Sequence, residues 1–410
     1  MTRPKFVIVI PDGAADEPTE LLGGKTPLQA AHVPSMDRVS REGIVGRSRN
    51  VPERFLPASD VATLSLFGYD PEKYYTGRAP LEAAAMGISL GPNDWAIRCN
   101  LMTILDGRLA DFTAGHITSE EGRPLMEALQ AALGRPNVEF HAGVSYRNLM
   151  IYRGQPGEAR FDDSTISDPP HDHPDQPAAE HLPRGAGADL LRELMAAAGP
   201  ILADHPVNRA RTAAGKKPAN AIWLWGQGNA PNVPPFEQVH GIKGAIISAV
   251  DLVRGVGVLA GWTRIDVPTA TGYLDTDYAA KGRAAIEALK DHDIVCVHVE
   301  APDEASHEGR ADAKVEAIER IDHDIVNPVL DALRKYPEWR MVISPDHSTL
   351  LRTRAHDRAL VAWAMAGTNL PASGLTYDEL SARDGGGPFL TQGFRLMDRF
   401  LDLKWSGRPD

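Results

Sequence analysis

FVIVIPDG, at residues 6–13, is an apolar β-branched run that breaks at a Pro-Asp-Gly turn. Three later runs have the same character, at 244–250 (GAIISAV), 293–299 (DIVCVHV) and 340–344 (RMVIS). Helix-like stretches at 275–290 and 312–335 lie between them. Buried β-branched strands that alternate with helices are typical of βαβ units, so the sequence predicts an α/β protein with a mostly parallel sheet flanked by helices.

The middle of the chain has a different character. Residues 150–188 are rich in Pro, Gly, Asp and His and show no sustained periodicity, which is typical of a functional lid or a linker. The chain has 410 residues, more than the roughly 250–300 that one hydrophobic core usually serves. We therefore expect a discontinuous core, residues 1–80 and 243–410, interrupted by a smaller inserted α+β domain at 81–242.

Composition excludes several classes of partner. With a net charge of −12, 43% hydrophobic residues and no apolar run of membrane-spanning length, the chain should bind neither nucleic acid nor a membrane. The N-terminal segment is typical of a first strand and not of a signal peptide, so we expect a cytoplasmic protein. We also expect a monomer or a small homo-oligomer. Cys99 and Cys296 lie far apart in apolar runs, which favours buried thiols over a disulfide.

Carboxylates follow three of the strand-like runs. Asp12 comes directly after the first run, Asp303 shortly after the run at 293–299, and Asp346 after the run at 340–344. In open α/β sheets ligands bind at the edge formed by the carboxyl ends of the strands. A lone Asp in this position is usually a turn or cap residue, but three of them on separate strands predict a common site.

Histidines accompany these carboxylates. His307 lies four residues after Asp303, which places both on one face of a helix; His347 is adjacent to Asp346, and His356 follows ten residues after Asp346. A mixture of oxygen and nitrogen ligands suits Mn²⁺ or Zn²⁺ better than Ca²⁺. This set of ligands is larger than one ion needs, so it indicates two metal ions. In two-metal enzymes that act at phosphorus the ions lie about 4 Å apart.

Ser59 has two interpretations. The segment LPASDVATLSLFGYDP at 56–71 predicts a short helix from Val61 to Phe67, closed by Gly68, with Ser59 or Asp60 as its N-cap. Alternatively, a hydroxyl at a helix N-terminus beside a divalent metal can act as a nucleophile on phosphorus. Spacing alone leaves both interpretations open.

Long motifs resemble one known family. These are IPDGAADEP at 10–18, LGGKTPLQAAHVPSMDRVSREG at 22–43, ASDVATLSLFGYDPEKYYTGRAPLEAA at 58–84, VHVEAPDEASHEG at 297–309 and SPDH at 344–347. They resemble the archaeal-type cofactor-independent phosphoglycerate mutases of the alkaline phosphatase superfamily, and the resemblance covers essentially the whole chain. It implies an alkaline-phosphatase-like core with an inserted lid.

The resemblance also implies roles for the residues above. Ser59 would form a phosphoserine as 3-phosphoglycerate and 2-phosphoglycerate interconvert, without bisphosphoglycerate. One divalent ion would be bound by Asp303, His307 and His356, and the other by Asp12, Ser59, Asp346 and His347. Mn²⁺ is the first choice of metal, with Zn²⁺, Mg²⁺ and Co²⁺ as alternatives.

The lid motifs imply substrate contacts. AGHITSEEG at 114–122 contains His116, a candidate proton carrier or phosphate donor, and HAGVSYRN at 141–148 contains Arg147, a candidate clamp for a carboxylate or phosphate. HPVNRAR at 205–211 contains two arginines, of which Arg209 is the favoured substrate ligand.

Other functions stay open at this point. IWLWGQG at 222–228 and ATGYLDTDY at 270–278 are similar to a bacterial branch of the family in which homoserine kinases have been proposed, and a phosphatase would need the same ligands. No GxxxxGK[ST] loop supports a conventional kinase. A metal-binding or scaffolding protein that descends from this fold without being an enzyme would be expected to lack the serine or the ligands.

His171-Asp172-His173 is interpreted as a polar loop, because no second ligand cluster accompanies it.

Overall fold

The computed structural model describes residues 3–158 and 160–406. The chain divides into two compact units: the first runs to Tyr75 and resumes at Asn232, and the second is Thr76–Pro231. The strands, in chain order, are β1 (Lys5–Pro11), β2 (Ile44–Ser48), β3 (Trp95–Leu105), β4 (Arg108–Asp111), β5 (Val138–Val144), β6 (Arg147–Tyr152), β7 (Ala221–Asn229), β8 (Gly244–Ile247), β9 (Thr263–Arg264), β10 (Ile294–Val299), β11 (Trp339–Ile343), β12 (Ser348–Leu350), β13 (Ala355–Asp357), β14 (Val361–Gly367) and β15 (Phe389–Leu390).

The helices alternate with the strands in the first unit. The α-helices are α1 (Pro27–Ala30), α2 (Pro34–Glu42), α3 (Ser59–Leu66), α4 (Pro71–Tyr74), α5 (Arg78–Ala85), α6 (Ser119–Leu133), α7 (Ala188–Ala203), α8 (Pro206–Ala213), α9 (Phe236–His240), α10 (Asp251–Leu259), α11 (Tyr278–Ala288), α12 (Ala301–Glu308), α13 (Ala311–Ile321), α14 (Asn327–Leu333), α15 (Glu379–Asp384) and α16 (Arg395–Leu401). Short 3₁₀ turns occur at Glu20–Leu22, Pro170–Asp172 and Ala178–His181, and a π turn at Asp322–Val326 joins α13 to α14. Among the described residues, none of the helices is both long enough and apolar enough to cross a membrane.

The first unit is built on a mixed, mainly parallel sheet, as the sequence predicts. Its strand order is β15-β2-β14-β11-β1-β10-β8-β9, and β1 runs parallel to both β10 and β11. Only β14 is antiparallel to its neighbours β11 and β2. The predicted run at 244–250 is shorter as a strand: it ends at Ile247, because the Ser248 hydroxyl accepts a hydrogen bond from the Val250 N–H and turns the chain toward α10.

The second unit has an antiparallel sheet. Its central strand, β3, pairs with β4, β6 and β7, and β5 extends the sheet beyond β6. Helices α6 and α7 pack on this sheet, where Leu125, Leu129 and Leu194 are buried with Trp223. In its described residues, the long irregular segment predicted after residue 150 contains two 3₁₀ turns and isolated β-bridges between β6 and α7.

The unit junctions lie somewhat earlier than the sequence placed them, after residue 80 and after residue 242. Helix α5 belongs to the second unit, because Ala79 and Ala83 are buried against Ala96 of β3. Helix α9 belongs to the first unit, where Phe236 packs edge-on against Trp262. Apolar contacts of α5 and α9 therefore set both junctions, whereas the sequence placed them from the positions of the flanking strands.

A buried ion pair supports the β12–β13 hairpin of the first unit. Lys314 Nζ donates to Asp16 Oδ2 over 2.9 Å and to the Thr349 carbonyl over 2.8 Å, and the Leu351 N–H donates to the same Asp16 oxygen. Both charged side chains are almost fully buried. Lys314→Met is expected to lower the free energy of unfolding by about 3–4 kcal/mol, because it leaves the Asp16 carboxylate buried and uncompensated.

Urea unfolding of the metal-free protein checks this expectation. The double variant Lys314→Met/Asp16→Asn is the matched control, since it leaves no charge unpaired; its amide oxygen can still accept from Leu351, although the NH₂ group then faces the Glu17 N–H. It should lose clearly less stability than the sum of the two single variants. Additive losses would show that the pair is not coupled.

Candidate active site

Three carboxylates lie at one edge of the parallel sheet. Asp12 follows β1, Asp346 follows β11, and Asp303 lies in α12 directly after β10. These strands are adjacent and parallel, so their carboxyl ends meet at the same edge. All three side chains are buried. The strand-end argument from the sequence therefore corresponds to a physical cluster.

Gly13 allows these carboxylates to approach one another. Its φ is +61°, and a Cβ at this position would lie 2.4 Å from Asp303 Oδ1. Its N–H donates to Asp346 Oδ1 over 3.2 Å. Only glycine combines this left-handed backbone with so close a contact, so the Pro-Asp-Gly turn shapes the site as well as ending the strand.

Four polar atoms converge around His347. Its Nε2 lies 3.2 Å from Ser59 Oγ, 3.5 Å from Asp12 Oδ1 and 3.4 Å from Asp346 Oδ2. On its other side, His347 Nδ1 lies 3.2 Å from Thr349 Oγ1. The Thr349 hydroxyl therefore contacts the Nδ1 edge of the ring, and Nε2 points toward Ser59 and the two carboxylates. We call these residues, Ser59, Asp12, Asp346 and His347, the serine cluster.

Two carboxylate oxygens of the serine cluster have no hydrogen-bond partner within the described part of the chain, Asp12 Oδ1 and Asp346 Oδ2. The companion oxygens are bonded: Asp12 Oδ2 lies 2.8 Å from His298 Nε2, and Asp346 Oδ1 accepts from the Gly13 and His347 N–H groups. Burial, followed by the charges of neighbouring carboxylates including Asp346, raises the pKa of Asp12 well above its usual range. Buried anionic oxygens without partners are costly, and a divalent cation would satisfy both of them.

Asp12 is oriented by a chain of hydrogen bonds that the sequence did not predict. The Val250 N–H donates to Ser248 Oγ, which lies 3.2 Å from His298 Nδ1, and His298 Nε2 in turn contacts Asp12 Oδ2. Burial lowers the pKa of His298 to about 3, so the ring is neutral and donates one N–H to Asp12. Partners of this kind fix the orientation of metal ligands. A histidine at the carboxyl end of an otherwise apolar strand was the available signal.

A second group, the histidine cluster, consists of Asp303, His307 and His356. His307 Nε2 lies 3.1 Å from Asp303 Oδ2, and His356 Nε2 lies 3.5 Å from Asp303 Oδ1. The two Nε2 atoms are 3.1 Å apart, while the Nδ1 atoms bond the carbonyls of Arg354 and Pro57 at 2.9 Å each. With Nδ1–H groups committed to carbonyls, two nitrogen lone pairs and a carboxylate face one point, which is the donor set of a metal site.

The two clusters are neighbours. Thr349 Oγ1 contacts both Asp303 Oδ1 and His347 Nδ1, and the rings of His347 and His356 are 4.2 Å apart. The β12–β13 hairpin brings this about, because it pairs Thr349 with His356. Distance alone would also group His347 with Asp303 and His356. However, the Nε2 of His347 points toward Ser59, so we assign His347 to the serine cluster.

The predicted cap of α3 is wrong. The helix begins at Ser59, and its N-cap is Ala58, in an extended conformation and without a side-chain hydrogen bond. Asp60 lies inside the first turn, where its carboxylate accepts from the Val61 N–H and from the Tyr75 hydroxyl. The Ser59 hydroxyl is thus not used for capping. It sits at a helix N-terminus, where the dipole stabilises negative charge.

Glu300 is a further acidic residue that the sequence did not single out. It lies close enough to Asp12 and Asp303 for both carboxylates to affect its pKa, which burial raises to about 8, and its Oε2 has no hydrogen-bond partner among the described residues. The signal was present in the strand-end segment VHVEAPD, where Glu300 precedes Asp303 by three residues. Its position beside both clusters adds to the negative charge that a bound cation would neutralise.

The predicted lid residues all lie in the second unit. His116 is exposed in a turn with φ of +51°, and Arg147 is exposed at the start of β6 with its guanidinium over the Tyr146 ring. These two segments are adjacent, because Ser145 Oγ donates to the Ile117 carbonyl. Arg209 is exposed on α8 and contacts the carbonyl of Asp204.

Arg211, the arginine that the sequence analysis did not favour, has a structural role. It is buried, and its guanidinium bonds the Ala114 carbonyl and the carboxylate of Glu121. Ala114 and Gly115, like His116, have positive φ, so this turn needs external support. Arg211 therefore fixes the backbone that carries His116, which leaves Arg209 as the accessible arginine of α8.

Fold and site together define a class, the metal-dependent α/β enzymes that gather carboxylates and imidazoles around a serine at the carboxyl edge of a parallel sheet. The family model described as 2,3-bisphosphoglycerate-independent phosphoglycerate mutase matches residues 40–208. A protein of that name from Methanothrix thermoacetophila is 49% identical over 93% of this chain and 96% of its own length. The chain belongs to the 2,3-bisphosphoglycerate-independent phosphoglycerate mutase family.

Solved structures are similar across the whole chain. The PH0037 protein from Pyrococcus horikoshii is 28% identical, covers 98% of both chains and superposes with a TM-score of 0.83. A cofactor-independent phosphoglycerate mutase from Thermoplasma acidophilum is 26% identical, covers 98% of this chain and all of its own, and has a TM-score of 0.70. Both units of the chain therefore have counterparts in known folds.

Proposed function

We propose that this protein interconverts 3-phosphoglycerate and 2-phosphoglycerate through a phosphoserine at Ser59. The observation that carries the proposal is the convergence of Ser59 Oγ, His347 Nε2 and two unpartnered carboxylate oxygens, in a chain of the mutase family. A nucleophile held beside a buried anionic ligand set fits phosphoryl transfer, in which positioning and charge stabilisation supply most of the catalysis.

Two divalent cations fit the two clusters. The family and the donor sets support divalent metal use, and we infer Mn²⁺ because carboxylates and imidazoles contribute about equally. Asp303, His307 and His356 would hold one ion, and Asp12, Asp346, His347 and Ser59 the other. When bound, the ions would supply charge stabilisation at the phosphoryl oxygens and lower the pKa of the serine hydroxyl.

The side chains of the serine cluster define the sequence of bonds. Ser59 Oγ, its proton already released to solvent, attacks phosphorus; the bond from phosphorus to one glycerate oxygen breaks, and that oxygen takes up a proton from His116. The neighbouring hydroxyl then gives its proton to His116 and attacks the phosphoserine, which releases Ser59 Oγ in its starting form. The glycerate must stay bound and water must be excluded between the two steps, because water would hydrolyse the phosphoserine.

The second unit is proposed to bind the substrate. Three guanidinium groups, those of Arg78, Arg98 and Arg147, lie close enough to His171 to contribute, after burial, to lowering its pKa. Arg98 is paired with Glu82, and Asp172 offsets part of the charge near His171; the remaining guanidinium charge favours a phosphate or carboxylate ligand. We infer that Arg147 clamps the substrate, that His116 carries a proton to or from a glycerate hydroxyl, and that Arg209 contributes a further positive contact.

Arg147→Lys should lower kcat/KM for 3-phosphoglycerate by about 10–100-fold, because lysine keeps the charge but loses the bidentate geometry of a guanidinium. Steady-state kinetics with a coupled enolase assay would measure this. Arg135→Lys is the matched control, since Arg135 is an exposed arginine of the same unit whose guanidinium is paired with Glu193. Values for Arg147→Lys within twofold of the control would remove Arg147 from the substrate site.

Phosphorus NMR tests the activity directly. The purified protein is incubated with Mn²⁺ and 3-phosphoglycerate, without ATP or bisphosphoglycerate, and 2-phosphoglycerate is expected to form. Release of free phosphate alone would identify a phosphatase. An unchanged spectrum from metal-loaded protein would overturn the mutase proposal, and phosphorylation of homoserine with ATP would then be measured.

Three expectations from the sequence stay predictions: a cytoplasmic location, a monomeric or small homo-oligomeric state, and the lack of nucleic-acid or membrane partners.

A further inference from the structure

We propose that the second unit contains a metal site of its own, formed by Asp168, His173 and His181. One ligand-type atom from each residue lies within 4.8 Å of the other two. All three residues are half-buried and belong to the long irregular segment that connects β6 to α7. The site is independent of the serine and histidine clusters, which lie in the first unit, and of the mutase proposal.

The structure supplies what the sequence interpretation of this segment lacked. The sequence alone favours a polar loop without a metal at 171–173, because it shows no second ligand cluster beside this motif. In the structure His173 is joined by His181, whose ring stacks on it at 3.8 Å with an interplanar angle of 17°. His181 Nδ1 also lies 3.5 Å from Asp168 Oδ2. The cluster thus uses His173 with residues five and eight positions away from it, and does not use His171 or Asp172.

Hydrogen bonding gives His181 the arrangement of a metal ligand. Its Nε2 is 2.8 Å from Gln176 Oε1, so Nε2–H donates to the amide oxygen and the Nδ1 lone pair points at the Asp168 carboxylate. A bare nitrogen that faces an anionic oxygen is unfavourable unless a proton or a cation lies between them. A cation at this point would bind the Nδ1 lone pair of His181 and the Asp168 carboxylate together.

Asp168 is positioned independently of any ion. Its carbonyl accepts from the Nε1 of Trp223, which is buried in the core of the second unit. Arg184 approaches its Oδ1 at 3.5 Å, and the side chain of Arg184 is exposed. The other oxygen, Oδ2, is the one directed at His181. The carboxylate can therefore bind a cation through Oδ2 while Arg184 partly balances the charge on Oδ1.

The loop that carries the ligands is tied to the sheet. The Leu109 N–H donates to the Gln176 carbonyl, Asp175 donates to the Leu109 carbonyl, and Ala178 donates to the Gly107 carbonyl. Ile166 and Arg184 also exchange backbone hydrogen bonds at 2.9 and 2.8 Å. The ligands thus occupy a loop closed at both ends. Because the His173 and His181 rings stack nearly parallel, the His173 ring must turn out of the stack when an ion binds, so that both nitrogen lone pairs meet it.

Two imidazoles and one carboxylate suit Zn²⁺, which takes nitrogen and oxygen ligands in a tetrahedron and would complete it with water from the exposed side. A structural ion would close the loop between Asp168 and His181, a segment with almost no regular secondary structure. Binding of the ion to the folded loop alone would then stabilise the second unit.

Zinc stoichiometry tests the proposal on the full-length protein. Chelator-competition titrations are expected to find one Zn²⁺ fewer per chain in His181→Ala and in His173→Ala than in the wild type. His323→Ala, which removes an exposed histidine of the first unit, should bind as many ions as the wild type. Equal zinc content in all four proteins would overturn the proposal.

Hydrogen exchange provides a measurement that needs no variant. Wild-type protein is first loaded with Mn²⁺ to fill the first-unit clusters, and Zn²⁺ is then added. Amide exchange in peptides that cover 164–184 is expected to slow by at least about tenfold, consistent with closure of the loop. Exchange rates in that segment that do not change with Zn²⁺ would contradict the site, even if the alanine variants failed to fold.

Discussion

Ser59→Ala is expected to lower the mutase rate by at least about 10⁴-fold while the fold and the metal content of the histidine cluster are retained, because a covalent nucleophile has no substitute in the site. Among the described residues, the Ser59 hydroxyl lies within hydrogen-bond distance of His347 Nε2, at 3.2 Å, and it caps no helix. Removal of the Ser59 hydroxyl is therefore expected to abolish phosphoryl transfer and to change the free energy of unfolding very little. Steady-state kinetics and elemental analysis on the same preparation would measure both quantities.

Covalent labelling separates the nucleophile from a bystander. Wild-type protein incubated with labelled 3-phosphoglycerate and quenched in acid should retain phosphate on Ser59, identified by mass spectrometry, and Ser59→Ala should retain none. Ser65→Ala is the matched control, since Ser65 is a buried serine of the same helix. It should be labelled like the wild type. Turnover by Ser59→Ala within tenfold of the wild type would exclude a phosphoserine at this position.

The sheet edge was predictable from the sequence because one physical rule determines it. Parallel strands present their carboxyl ends together, so Asp12, Asp303 and Asp346 could be expected to meet as soon as their strands were recognised. The four-residue spacing of His307 from Asp303 follows from helical periodicity in the same way. Local pattern sufficed wherever position along a strand or helix decided the outcome.

Long-range pairing was not predictable. His356 reaches the site because the β12–β13 hairpin sets it opposite Thr349, and nothing in that short segment indicates a hairpin. The partners of Asp12 are equally remote, since His298 lies in β10 and Ser248 follows β8. Which carboxylate oxygen stays unpartnered depends on these contacts, so the sequence could propose ligands but not their orientation.

The sequence predicted neither the N-cap of α3 nor the cluster of Asp168, His173 and His181 in the second unit, and the reasons are related. Ser59 is a favourable N-cap residue by local preference, but the chain turns one residue earlier, at Ala58, and Asp60 satisfies the first turn from inside the helix. Asp168 and His181 flank His173 only because the loop folds back on itself, which aperiodic sequence does not reveal. In both places tertiary contacts outweighed local preference.

Asp346→Asn is expected to change activity and metal-free stability in opposite directions. The rate should fall by about 10³-fold or more, because a metal ligand loses its charge. The free energy of unfolding without metal should rise by about 1–2 kcal/mol, because one of several crowded buried anions is neutralised. The amide oxygen can still accept from Gly13 and His347, as Oδ1 does, and the NH₂ group would replace the unpartnered Oδ2.

Metal should stabilise the wild type much more than this variant. A divalent ion at about 1,000 times its dissociation constant adds about 4 kcal/mol to the stability of a protein that binds it only when folded. The wild type, in which the carboxylates of Asp12 and Asp346 can both bind the cation, should show a gain of this size for its serine cluster, and Asp346→Asn should show little of it. Urea unfolding with and without Mn²⁺, after chelation, would measure the difference.

Asp322→Asn is a control in which the same change of charge should have the opposite effect on stability. Asp322 is buried in the first unit, outside both clusters, and accepts hydrogen bonds from the Met36 N–H at 2.6 Å and the Ser35 N–H at 3.2 Å. An amide must turn an NH₂ group toward one of these donors, so this variant should lose about 1–2 kcal/mol and keep its response to Mn²⁺. If Asp346→Asn also destabilised the metal-free protein, the unpartnered oxygens would not be under electrostatic strain. The argument that buried anions of the serine cluster await a cation would then fail.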